Sequence, residues 1–209
     1  MESSKKVTAL DTSVGADVEQ SPTNNSATII ADMPATGNLQ ATENGTENRL
    51  LPVVSMDELF DTAYPPKVPV VEGLINAGTY LFVGAPKVGK SFFMAQLAYH
   101  VSMGIPLWDY KVRQGSVLYL ALEDDYARLQ KRLYTMFGIE CSEKLYFATK
   151  SKSLSEGLEE QLAEFVTEHK DARLIIIDTL QKVREASGEK FSYANDYEIV
   201  TKLKAFSDK

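Results

Sequence analysis

The chain has 209 residues, room for one ordinary domain plus extensions, and its apolar (44%) and charged (24%) fractions are those of a globular protein. A formal net charge of −7 excludes a chain that coats nucleic acid through its overall charge, while allowing a local basic loop. The single cysteine, Cys141, excludes a disulfide framework, and no apolar run reaches membrane-spanning length or forms a signal peptide. A cytoplasmic location without a membrane partner is therefore expected. No base stands near Cys141 in sequence, so buried filler is its expected role.

Residues 1–50 contain no Phe, Tyr or Trp and are crowded with Ser, Thr, Asn, Ala and acids. Such a segment cannot bury enough apolar surface to offset its ordering entropy and reads as a disordered polar tail. Ile29-Ile30 is its one apolar pair of note, a candidate docking motif or nothing. Residues 51–78 form a lead-in strap. In it Ser55 and Glu58 make a capping box for a short helix, and Pro65, Pro66 and Pro69 impose extended chain.

Residues 79–209 carry an α/β pattern of alternating strands and helices. An apolar strand at 80–83 leads into Gly84-Ala85-Pro86-Lys87-Val88-Gly89-Lys90-Ser91, which fits G-x-x-x-x-G-K-[ST], the phosphate-binding loop of nucleoside triphosphatases. Its glycines permit backbone angles and approaches that a Cβ would block. Loop N–H groups and the following helix N-terminus then face a polyphosphate. Lys90 can bridge the β- and γ-phosphates, and the Ser91 hydroxyl can ligate Mg²⁺. The nucleotide-contacting set therefore runs through Gly84, Ala85, Pro86, Lys87, Val88, Gly89, Lys90, Ser91 and Phe92. The alternative is a glycine-rich turn that matches by accident.

The helix after the loop is apolar nearly all round, as for one buried between layers, and Gly104-Ile105-Pro106 ends it. His100, with no second histidine or cysteine placed to join it, reads as a satisfied, partly buried side chain. Ser116–Leu122 is a continuous apolar run, the pattern of a strand covered on both faces, and ends in Glu123-Asp124-Asp125. A helix follows with Leu129, Leu133, Met136 and Phe137 on one face. A short strand spans 145–149, and a helix signalled by Ser153 and Glu156 follows it. Leu174–Ile177 is the next buried strand, ending in Asp178. A polar loop covers 179–194, and a last helix, with Asn195 as a plausible cap, turns Ile199, Val200, Leu203 and Phe206 inward.

Ligands of open α/β sheets sit beyond the carboxyl ends of the strands. Asp178, closing four aliphatic residues, is a Walker B pattern whose carboxylate would hold Mg²⁺ beside Ser91; the alternative is a turn former. Hydrolysis also needs an acid to orient or deprotonate water. Thr179 follows Asp178, so that acid must come from elsewhere. Glu123 lies on the correct edge, although it and its neighbours Asp124 and Asp125 can equally serve as helix N-terminal charge.

GAPKVGKS, VLYLALEDD and LIIIDTL together resemble the RecA-like ATPases. More narrowly, they resemble the branch of RepA-type hexameric replicative helicases and AAA-family ATPases of plasmids and mobile elements, over roughly Pro66 to Lys209. The resemblance implies a mainly parallel, RecA-like P-loop sheet flanked by helices, ATP and Mg²⁺ as cofactors, Glu123 and Lys90 as catalytic groups, and Ser91 and Asp178 as metal ligands. It also implies work on single-stranded DNA as a homo-oligomeric ring, with the loop 181–192 (Lys182, Arg184, Lys190, Phe191) and Tyr193 as candidate DNA contacts. A regulatory nucleotide-binding module and a small-molecule kinase are the alternative functions. In the RecA-like arrangement a later strand separates the phosphate-loop strand from the Walker B strand. The chain reaches Lys209 without that strand or the sensor residues and arginine finger that follow it. The expectation is a partial core whose sheet holds a slot between two unpaired edges, with the two strands two spacings apart.

Overall fold

Successive residues of a strand point to opposite faces, so an uninterrupted apolar run requires cover on both sides. Strands β5 (Ser116–Ala121) and β7 (Ala172–Asp178) meet that requirement in the computed structural model, which describes residues 27–31, 53–184 and 193–208, with backbone alone at 27–31 and 193–196. Val117, Tyr119, Ala121, Leu174 and Ile176 pack on one face with helix α2 (Lys90–Met103). Leu118, Leu120, Ile175 and Ile177 pack on the other with α4 (Leu158–Glu168) and α5 (Tyr193–Ser207). The result is a three-layer α/β arrangement.

The five-stranded sheet has the order β4-β1-β7-β5-β6, where β4 is Gly78–Phe82, β1 is Ala27–Ala31 and β6 is Leu145–Ala148. Strands β7, β5 and β6 are parallel. Strand β1 runs antiparallel to both β4 and β7, so those two point the same way. Hence β4 and β7 share no ladder and lie two spacings apart, as expected from the sequence. The slot between them is filled, however, which corrects the expectation of two bare edges. Thr28, Ile29 and Ile30 pair with Leu81, Tyr80 and Thr79 on one side and with Ile177, Ile176 and Ile175 on the other. Unpaired buried backbone groups would cost about 1–3 kcal/mol each, and an extended Ala-Thr-Ile-Ile-Ala segment satisfies both edges. The reading of residues 1–50 as a disordered tail therefore fails at 27–31. Its remaining residues lie outside the described ones.

Other elements follow local chemistry. Helix α1 (Met56–Asp61) has the full Ser55–Glu58 capping box. A two-stranded ribbon of β2 (Pro69–Val71) and β3 (Ile75–Asn76) covers one flank of α2, with Val70, Val71 and Ile75 buried. Helix α3 (Tyr126–Phe137) is capped by Asp125, whose carboxylate accepts from the Arg128 amide at 2.8 Å. Ser153 and Glu156 bond to each other, but the residues between form turns, and α4 starts only after Gly157 at φ +112. Helix α5 begins at Tyr193, two residues before the expected cap Asn195, and buries Ile199, Leu203 and Phe206. The loop expected at 179–194 opens as a 3-10 turn, Leu180–Val183, because Leu180 and Val183 join the core; residues 185–192 lie outside the described ones. Cys141 is exposed on the turn after α3, against the expectation of a buried filler. His100 is satisfied as expected, its Nδ1 lying 2.7 Å from the Pro106 carbonyl.

Candidate functional site

The Gly84–Ser91 loop, the candidate phosphate site, links the end of β4 to the start of α2. Gly89 takes φ +91, a conformation that side chains disfavour, and turns the chain into the helix. Gly84 faces the Val88 side chain, where an added Cβ would sit 3.4 Å from a methyl group. No side chain caps α2 and its first turn holds no acid, so its leading N–H groups keep their capacity for an anion. Ala85, Pro86, Lys87, Val88 and Gly89 are exposed, and Lys90 and Ser91 are half-buried. The Lys90 ammonium folds back over the loop and donates to the carbonyls of Gly84 (2.7 Å) and Ala85 (2.8 Å). Phe92 is exposed, with the Arg132 guanidinium 5.4 Å from the centre of its ring.

Alternation along β7 puts Asp178 on the same face as Leu174 and Ile176, the face that α2 covers. That parity brings the acid to the phosphate-loop helix. The link is Tyr119 of β5, which is fully buried. Its hydroxyl donates to Asp178 Oδ2 at 2.7 Å and lies 3.4 Å from the main-chain carbonyl of Ser91. Burial, and then the neighbouring Asp178 carboxylate, hold the Tyr119 phenol far above the ordinary tyrosine range, so it stays a donor. The structure thus brings the Asp178 carboxylate and the Ser91 main chain to one hydroxyl, that of Tyr119, while the Lys90 ammonium lies on the loop carbonyls. The sequence reading passed over Tyr119, whose only sequence signal is polarity: a hydroxyl in the middle of a strand apolar on both faces needs a buried partner. The Asp178–Thr179 peptide is cis.

Glu123 follows the carboxyl end of β5, exposed, with its main-chain carbonyl accepting from Arg128 Nη2 at 2.6 Å. Its carboxylate has no ion pair among the described residues. Asp124 is different: it is nearly covered and paired with Arg132 at 2.7 Å and Arg128 at 3.2 Å. Arg132 therefore touches both the acidic turn and the residue after Ser91, and its Nη1 is buried without a hydrogen-bond partner among the described residues.

Among those residues no group of three or more His, Cys, Asp or Glu is placed to hold a metal alone. Mg²⁺ needs no such cage, because it keeps several waters and binds through one or two carboxylates plus substrate phosphates. Ser91 and Asp178, both oxygen donors, fit it. The expected consequence of the tyrosine link is measurable. Tyr119→Phe removes one outer-shell bond of Asp178 and should shrink by about tenfold the gain in ADP affinity on adding Mg²⁺, with metal-free ADP affinity unchanged. Titration calorimetry with and without Mg²⁺ checks this; an undiminished gain would leave Tyr119 a packing residue.

A cavity of about 760 Å³ lies elsewhere, between α2, α3 and β6, lined by Tyr99, Leu129, Phe137, Ile139 and Phe147 and by no phosphate-loop residue. No helix among the described residues is long and apolar enough to cross a membrane. No curated protein and no solved structure matches the chain. A family model described as an AAA domain matches residues 45–209, most of the chain and all of the site. The chain belongs to this AAA-domain family, whose chemistry is nucleotide-dependent ATPase activity.

Proposed function

We propose that the chain binds and hydrolyses ATP with Mg²⁺ as the core of a RecA-like ATPase, a helicase-type motor of DNA replication or of a mobile element. The observation that carries the Mg²⁺-ATP reading is the Tyr119 hydroxyl, which donates to the Asp178 carboxylate at 2.7 Å and sits 3.4 Å from the Ser91 carbonyl at the start of α2. The two-spacing separation of β4 from β7 supports the RecA-like arrangement over P-loop proteins in which the two are adjacent. The strand between them, β1, nevertheless comes from upstream and runs antiparallel, rather than being the later strand of that arrangement.

In this reading the Gly84–Ser91 loop and the first turn of α2 bind the phosphates, with Phe92 contributing through its backbone. Lys90 exchanges a loop carbonyl for β- and γ-phosphate oxygens. Ser91 and Asp178 would hold Mg²⁺, which would supply charge neutralisation at the phosphates. Glu123 orients the attacking water and takes its proton. Arg132 Nη1, buried beside Phe92 and without a hydrogen-bond partner among the described residues, is a donor that an anionic ligand would satisfy. DNA contact is assigned to the segment beginning at the exposed Lys182. Arg184 is half-buried and already engaged, which argues against it as a free phosphate ligand. Lys190 and Phe191, and the Tyr193 side chain, lie outside what is described.

Steady-state ATP turnover with and without single-stranded DNA, alongside sedimentation for ring assembly, tests the motor. Turnover stimulated by DNA supports it. Tight Mg²⁺-nucleotide binding with negligible turnover in both conditions would replace it with a regulatory binding module.

A further inference from the structure

The phosphate loop accounts for the polyphosphate of a nucleotide and leaves its base unassigned. An aromatic stack beside the loop offers a place for it. Phe82 ends β4, Phe93 sits in the first turn of α2, and Trp108 lies in the loop after α2. Ring centroids are 5.3 Å apart for Phe82–Phe93 and 5.8 Å for Phe93–Trp108, the latter pair stacked within 15° of parallel. Phe82 precedes the loop by two residues and Phe93 follows it by two, so the stack is rooted at both ends of the phosphate loop. Phe82 and Phe93 pack on the core, while Trp108 closes the stack at the surface, 59% exposed.

A single exposed hydrophobic residue is ordinary. Trp108 is distinguished by its backbone. Its φ of +52 lies in the left-handed region, uncommon for any residue but glycine and more so for a bulky one. Such strain persists where surrounding contacts over-determine it, and it gathers at ligand sites. The contacts are visible. Leu107 and Tyr110 exchange two backbone hydrogen bonds of 3.0 Å that close a tight turn around Trp108 and Asp109. Buried Leu107 anchors the turn, and backbone bonds of 2.9 Å from Glu72 to Lys111 and from Arg113 to Val70 fix its far side to the β2–β3 ribbon. The indole is thus held out on a rigid mount with one face on Phe93, and little freedom remains to be lost on binding.

We propose that Trp108 is the base platform of the nucleotide site: the purine ring of a nucleoside di- or triphosphate, its phosphates in the Gly84–Ser91 loop, stacks on the free face of the indole. The inference rests on the nucleotide reading of that loop. Base–aromatic stacking is worth about tenfold in affinity and tolerates any base, with the larger π-face of a purine favoured.

Trp108 is the one tryptophan of the sequence, so its emission reports on this residue alone. The 209-residue chain is titrated with Mg²⁺-ADP, Mg²⁺-CDP and Mg²⁺-tripolyphosphate, the last carrying phosphates without a base. ADP should quench the emission, and tripolyphosphate should displace ADP and restore it. ADP should bind more tightly than CDP. Trp108→Ala should weaken ADP about tenfold by calorimetry and leave tripolyphosphate affinity unchanged, which also shows that the variant is folded; Trp108→Phe should retain most of the ADP affinity. Unchanged emission at saturating ADP, or equal ADP affinity in Trp108→Ala and the parent chain, overturns the platform while tripolyphosphate binding leaves the phosphate loop standing. Failure of the parent chain to bind either ligand overturns both readings.

Discussion

Glu123→Gln should lower the single-turnover rate of ATP hydrolysis by about 10²–10⁴-fold and leave ATP affinity within a small factor of the parent chain. Glutamine preserves size and hydrogen bonding and removes the base. The surroundings explain why one residue should carry so much. Of the three consecutive acids after β5, Asp125 is occupied as the cap of α3 and Asp124 is clamped between Arg132 and Arg128. Each oxygen of Asp124 is held by a guanidinium group, Oδ1 by Arg128 and Oδ2 by Arg132, so neither is free to receive a water. Glu123 alone has its carboxylate unpaired among the described residues, while the Arg128 bond to its carbonyl fixes the backbone that presents it. Asp124→Asn serves as the contrast. It should loosen the turn, with a smaller effect on rate than Glu123→Gln. A Glu123→Gln enzyme that keeps its rate beside an inactive Asp124→Asn would move the base to Asp124.

The parts of the fold visible in the sequence are those where one physical rule acts alone. Apolar runs of the length of β5 and β7 admit only a strand covered on both faces, and the phosphate loop specifies a strand, a turn and a helix through residues a few positions apart. Local capping was legible for the same reason at Ser55–Glu58. It misled at Ser153–Glu156, where the same contact closes a turn and Gly157 starts the helix instead. What the sequence hid depends on partners far along the chain. An isolated Ile-Ile pair in a polar segment carries no period, and only the two edges left by β4 and β7 give it a reason to become a strand. Tyr119 reads as one more apolar strand residue until Asp178, 59 positions away, is placed within reach of its hydroxyl. Trp108 reads as a loop residue because nothing local announces that its ring will lie along Phe93. The candidate site was thus legible in its phosphate loop and strand-end acids, and opaque in the side chains that hold those acids in place.

Lys90→Ala should weaken ATP and ADP binding by about ten- to a hundredfold, the worth of one strong charge-assisted contact to phosphate. The ammonium has three protons to donate, and two already lie on the carbonyls of Gly84 and Ala85. Those bonds hold the ammonium against the loop before ligand arrives, and reaching two phosphate oxygens requires it to give up one of the two carbonyls. Alanine removes the charge and also the brace that draws the two carbonyls together, and both losses act in the same direction. Lys90→Arg separates them. The charge is kept, but a planar guanidinium fork cannot reproduce a compact ammonium seated on two carbonyls in so small a turn. Arginine should therefore recover only part of the affinity. Calorimetric titration with Mg²⁺-ADP and with Mg²⁺-tripolyphosphate reads the effect on the phosphate half of the ligand alone, and the two losses should match within a factor of about three. Equal affinity of the parent chain and Lys90→Ala for both ligands would remove the Gly84–Ser91 loop as the phosphate site. A loss confined to ADP would place Lys90 against the nucleoside rather than the phosphates.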